Sequence, residues 1–92
     1  MALVDAATFD GQEIALVYIA GRVNEARQVE QVLSAHGVDY AVDSEPFQTT
    51  LFGILPVERE GVGFYVSFHE ADRCRAALRT AALLQGLVEN DD

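Results

Sequence analysis

The hydrophobic pattern opens on a run. Ile14-Ala15-Leu16-Val17-Tyr18-Ile19-Ala20 is β-branched and aromatic-rich, and apolar at every position. That pattern predicts a strand covered on both faces. After Gly21 the period changes. Val23, Ala26, Val29, Val32, Leu33 and His36 recur at steps of three and four, with Arg22, Glu25, Arg27, Gln28, Glu30 and Gln31 between them. This predicts a helix with one apolar stripe. His36-Gly37-Val38 supplies its stop, because Gly37 can take the left-handed conformation and Val38 the apolar contact that accompanies such a cap.

Alternation returns next. Val38, Tyr40 and Val42 alternate with Asp39, Ala41 and Asp43, the signature of a half-buried strand near a sheet edge. Residues 44–50 contain Pro46 with acidic and hydroxyl residues and read as a loop. Residues 51–57 are apolar apart from Gly53 and Pro56 and read as an edge strand, since proline cannot donate to a ladder. Glu58-Arg59-Glu60-Gly61 reads as a turn. Val62, Phe64, Val66 and Phe68 then alternate with Gly63, Tyr65 and Ser67, so 51–57 and 62–68 are expected to form a hairpin. The last helix is expected from Glu70 to Leu84, with Ala71, Cys74, Leu78, Ala81 and Ala82 inward, acids in its first turn and arginines further along. Gly86 is expected to end it, ahead of a solvated acidic tail, 88–92.

The order β-α-β-(β)-β-α in 92 residues predicts one α+β domain: a loose lead-in over 1–12, a core over 13–87, and two helices on one face of a mainly antiparallel sheet. It matches a ferredoxin-like sandwich whose final strand is missing or supplied by the tail, and whose first and last strands form the central pair. Such a sandwich leaves one sheet face bare. On simple alternation, either Leu16 and Tyr18 face the helices while Ala15, Val17 and Ile19 face outward, or the reverse; Tyr65 joins whichever patch lies outside. An exposed apolar patch of this kind marks an interface, so a homo-oligomer is expected, its sheets meeting face to face or edge to edge.

Charge narrows the choice of partner. The net charge is −9 and every cation is an arginine. With no basic cluster, the chain lacks what releases counterions from nucleic acid or binds an anionic membrane. The longest apolar run is far short of the ~20 residues that span a bilayer. Met1–Asp5 lacks the basic stretch of a secretory signal, and the lone Cys74 makes no internal disulfide. These features set the cytoplasm as the expected compartment.

Candidate chemistry is sparse. His36 and His69 have no second histidine three or four residues away. Cys74 has the phase of a buried, inert thiol. Asp39, Asp43 and Glu45 alternate onto one side of their strand region and, with His36, form the one set that could sense a hard cation or small ligand. Gly61-Val62-Gly63 precedes a strand and lacks the lysine of a phosphate loop. No catalytic residue, cofactor or metal ligand is assigned, and a non-enzymatic protein is expected. The strongest pointer to function is 44–61, where Phe47, Leu51, Phe52, Ile54, Leu55 and Val57 make the segment too apolar for an ordinary surface loop. Phe47, Leu51, Phe52, Ile54, Leu55 and Tyr65 are the expected partner-binding residues.

Three stretches together carry a resemblance: Val17-Tyr18-Ile19-Ala20 through Asn24-Glu25-Ala26, then Leu33-Ser34-Ala35-His36-Gly37-Val38, then Tyr65-Val66-Ser67-Phe68-His69-Glu70-Ala71-Asp72. Over about residues 13–84 the chain resembles a small bacterial family of prokaryotic signal-transducing proteins. That family looks related to the nitrogen-regulatory (GlnB-like) version of the ferredoxin-like fold. The resemblance implies a regulatory trimer in which a long loop between the second and third strands contacts targets; 44–61 occupies that place. The chain departs from the pattern in its apolar, proline-containing arm and in having no basic nucleotide-binding cluster beside it.

Overall fold

The computed structural model describes residues 13–51 and 54–89, with the backbone alone at 47–51. Three strands and two helices follow in the order β1 (Ile14–Ala20), α1 (Val23–Ala35), β2 (Ala41–Leu51), β3 (Leu55–Ser67) and α2 (Ala71–Thr80), with a 3-10 turn over Phe68–Glu70 before α2. The sheet is antiparallel in the order β1-β3-β2. At the free edge of β1, Ile19 N–H donates to Gly86 O (2.9 Å), Val88 N–H donates to Val17 O (3.0 Å), and Leu87 bridges Tyr18. Residues 86–88 thus supply a rudimentary fourth strand, the alternative in which the tail completes the sheet, although Gly86 is expected from sequence to end a helix and the residues from 88 on to be solvated. The fold is α+β, a small ferredoxin-like sandwich with β1 and β3 as the central pair.

The core lies between helices and sheet. Val29 and Leu33 of α1 and Ala71, Cys74 and Leu78 of α2 meet Ala15, Val17, Tyr18, Ala20, Phe64 and Val66 of the sheet, with Val38 and Tyr40 closing one end. Val23 and His36, expected on the stripe of α1, lie outside it and are exposed.

Neither simple assignment of the β1 faces holds. Leu16 pairs with Tyr65 and Tyr18 with Phe64, so Val17 is an extra residue, a β-bulge. A bulge shifts the alternation by one. Ala15 and Val17 before the shift, and Tyr18 and Ala20 after it, are all buried, whereas Ile14, Leu16 and Ile19 are exposed or half-buried on the other face. Arg75, one of the arginines expected further along the last helix, is buried and donates from Nη2 to the Leu16 carbonyl at 3.0 Å. α2 therefore stabilises the bulge with a charge-assisted bond.

The hairpin also differs from expectation. Residues 44–50 are not a loop, and Glu58–Gly61 is not a turn. β2 runs unbroken to Leu51 and pairs with β3 from Ala41↔Tyr65 to Leu51↔Leu55. Both prolines are accommodated by alternation. Ser44 N–H donates to the Asp43 carboxylate (2.8 Å), which places that amide on the open edge of β2. Pro46, two residues on, has the same orientation, so its missing N–H leaves no gap in the ladder. Pro56 pairs with Thr50, of the same parity, so its nitrogen points away from β2. On that side β1 reaches only as far as Val62. Residues 44–51 and 55–61 are thus the two strands of a ribbon that continues the sheet beyond the helices.

The helix ends share one device. At α1, Gly37 (φ 69°) donates to Ser34 O and Val38 donates to Leu33 O. At α2, Ala82 (φ 63°) donates to Arg79 O and Leu83 donates to Leu78 O. Both are paired left-handed caps with an apolar residue folded inward. The second stops α2 at Thr80, well before Leu84, and Ala81 and Ala82 are exposed. An alanine in the left-handed region is strained. Ala82→Gly is expected to stabilise the protein by about 0.5–1 kcal/mol in chemical denaturation; a destabilised variant would contradict this assignment of the cap.

Candidate protein-contact face

The outer sheet face is built by parity. Along the unbroken β2–β3 register, odd-numbered positions share the face turned away from the helices. Tyr65 lies there between Leu16 and Ala41, and Gly63 lies between Ile19 and Asp43. Leu16, Ile19 and Tyr65 are half-buried and Ile14 is 44% exposed. Further along the ribbon the same parity carries Gly61, Arg59, Val57 and Leu55, the last 53% exposed. The even positions carry Ser44, Pro46, Pro56, Glu58 and Glu60. The ribbon is therefore amphipathic, with its more apolar side continuous with the bare face of the sheet.

This placement sorts the six expected contact residues. Leu55 and Tyr65 are on the outer face. Phe47 and Leu51 take register positions of the same parity, opposite Arg59 and Leu55. Ile54 stands at the ribbon tip, 80% exposed. Phe52 falls outside the described residues, as do the lead-in 1–12 and the tail 90–92.

The edges are less inviting than the face. An open strand edge invites strand addition. On β2, however, the Asp43 carboxylate already takes the Ser44 N–H, and Pro46 offers none. On β1 the edge is covered over 17–19 by residues 86–88. Contact through the sheet face is favoured over contact edge to edge.

The polar residues at the helix side fasten the layers. Glu25 in the first turn of α1 accepts from Gly21 N–H (3.0 Å) and from the Tyr18 hydroxyl (2.5 Å), tying the helix start to β1. Glu30 accepts from the Tyr40 hydroxyl at 3.0 Å. Burial, reinforced by these carboxylates, pushes both phenols up to about 12. Folding therefore favours the protonated phenol. That contribution is fully present below the ordinary tyrosine value of 10 and is lost as pH rises toward 12. Tyr18 and Tyr40 are expected to ionise only as the protein unfolds above about pH 11, followed by phenolate absorbance against circular dichroism. Ionisation of both at pH 10 with the fold intact would contradict it.

The other candidates sit apart. Cys74 is buried and its thiol is pushed up to about 11 by burial, which suits packing and not nucleophilic work. His36 caps α1 in the helix layer, with Nδ1 donating to Val32 O (2.9 Å), while Arg73 reaches across to the His36 carbonyl (3.2 Å). Asp43 and Glu45 are on the outer sheet face and exposed or half-buried, and Asp39 is exposed before β2. Among the described residues no three His, Cys, Asp or Glu side chains gather where they could hold a metal ion. A shallow groove of about 540 Å3 between α1 and α2 is lined by Val32, Ala35, Ala76, Ala77 and Ala81 together with His36 and Arg73. Among the described residues no helix is long and apolar enough to cross a membrane.

Sequence reasoning missed two positions that shape this face. Gly63 lacks a side chain where a Cβ would collide with Glu45 Cγ and press on Leu16 Cδ1 at 3.1 Å; its place in an alternating strand opposite an acidic residue is the signal. Arg75 fixes the bulge that turns Leu16 outward, and no local signal marks it. Compared with known families, curated proteins and solved structures, the chain matches none.

Proposed function

We propose that this chain is a non-enzymatic regulatory module of the cytoplasm that works by protein–protein contact, beginning with copies of itself. One observation carries the reading: an outer sheet face of Ile14, Leu16, Ile19 and Tyr65, with the ribbon residues Val57 and Leu55 on the same side beyond Gly63, Gly61 and the charged positions Asp43, Glu45 and Arg59. A soluble chain gains by covering such a face. The resemblance of the strand–helix passages to the bacterial signal-transducing family supports placing this contact in signalling, with the ribbon where that family's resemblance to GlnB-like proteins puts a target-binding loop.

The test is mass against concentration. Sedimentation over a wide concentration range is expected to show an oligomer that dissociates on dilution, and Tyr65→Glu is expected to weaken it at least tenfold without altering the circular dichroism. A monomeric mass throughout would overturn the reading.

A further inference from the structure

Resting on that reading, we infer that the face is self-complementary: two copies pack face to face about a two-fold axis, each laying its ribbon across the sheet of the other. The occupant is a second copy of this chain, and the register says how it sits.

Charge gives the first argument. The outer face of the β2–β3 ribbon carries Asp43 and Glu45 toward the body of the sheet and Arg59 toward the tip, in register with 63, 61 and 47 respectively. Arg59 is the sole cation of either strand. Opposite charges displaced along one strand direction are what a two-fold can bring together. Let the axis lie between the sheets, perpendicular to the strands, at the level of the Glu45–Gly61 pair. Position 59 of one copy then lies over position 63 of the other. Gly63 has no side chain there, and it is flanked by Asp43 and overlain by Glu45. Each arginine meets two carboxylates, twice over by symmetry.

The same operation places the apolar residues. Val57, paired with position 49, falls over the level of Tyr65, Ala41 and Leu16. Leu55 falls over the level of Ser67 and Ile14. The ribbon's apolar side thus covers β3 and β2 at Tyr65 and Ala41, with Leu16 and Ile14 of β1 at its margin, and Gly61 and Gly63 keep the centre low enough for close approach. Size is compatible. With strand residues rising about 3.3 Å and strands about 4.8 Å apart, the two overlaid strands, β2 and β3, cover about 380 Å2 in plan. Side chains raise the accessible area above this, toward the roughly 800 Å2 per partner of a stable interface. Aligned sheet packing about 10 Å apart is an ordinary geometry.

Charge exchange tests it in the full chain. Arg59→Glu is expected to raise the dimer dissociation constant more than tenfold in sedimentation equilibrium. Asp43→Arg is the sharper variant. It brings the net charge of −9 two units nearer zero, so diffuse repulsion predicts tighter association, whereas loss of the Arg59 pairing predicts weaker. The double variant is expected to regain most of the loss. Glu60→Arg, on the other face of the ribbon, is the control and is expected to leave association unweakened. A dimer tightened by Asp43→Arg, a double variant no better than the singles, or a trimer mass would overturn this geometry while leaving self-association standing. A monomer at every concentration would overturn both.

Discussion

Phe64→Ala is expected to remove about 4 kcal/mol of stability, a large share of the about 5–15 kcal/mol available to a domain. Phe64 is 1% exposed and pairs directly with Tyr18 on β1 and Val42 on β2, so it sits where the three strands meet beneath the helices. Its ring packs on Tyr40 with centroids 5.7 Å apart and planes tilted by 48°. Truncation leaves a cavity walled by three strands whose spacing is fixed by backbone hydrogen bonds, so the site collapses poorly. Phe64→Leu retains much of the volume and is expected to cost closer to 1.5 kcal/mol. Urea denaturation separates the two; equal costs, or a cost under 2 kcal/mol for alanine, would show that the core centre lies elsewhere.

Gly86→Ala has the second largest expected effect, about 2–3 kcal/mol. A Cβ at residue 86 would run into the carbonyl oxygen of Ile19 and approach Tyr18 Cε1 to 2.8 Å. The first of these is backbone in a central strand and cannot step aside. Relief comes from lifting residues 86–88 off β1, which breaks the Ile19 N–H to Gly86 O and Val88 N–H to Val17 O bonds and uncovers Tyr18. Hydrogen exchange reads the local consequence: the Ile19 amide is expected to lose protection while the amides of β3 that face β1 keep theirs relative to global stability. A variant as stable as the parent with Ile19 still protected would mean that the tail does not close the sheet.

The alternating and 3.6-period patterns were legible wherward burial enforced them. Strand β1, helix α1 with its Gly37 cap, the buried Cys74 and the central pairing of β1 with β3 all follow from apolar spacing that the core demands. The errors fall where burial does not act. Residues 44–61 extend past the helices, so their alternation answers to no core; Pro46 and the run Glu58-Arg59-Glu60-Gly61 look like turn residues, although ladder parity makes both prolines harmless. The faces of β1 were unreadable because a bulge at Val17 shifts the alternation, and the arginine that supports it comes from α2, far away in sequence. The end of α2 was misplaced because Ala82, not glycine, takes the left-handed cap.

The candidate face was half legible. The excess of apolar residues in 44–61 set the segment apart, but composition could not say that it is a ribbon or that Leu55 and Tyr65 share its face. That came only from the hairpin register, which depends on where the chain turns. The acidic trio with His36 looked like one set on paper, yet a β-α-β sandwich puts a helix cap and an outer strand face on opposite layers.

The central claim is that the outer face of the sheet is covered by a second copy in solution. Hydroxyl-radical labelling across a dilution series tests it residue by residue. The account predicts that Tyr65, Leu16 and Leu55 are protected at high concentration and become labelled together as the oligomer dissociates, while Phe68, 49% exposed in the 3-10 turn before α2, is labelled equally throughout. Labelling of Tyr65, Leu16 and Leu55 that does not change with concentration would contradict it.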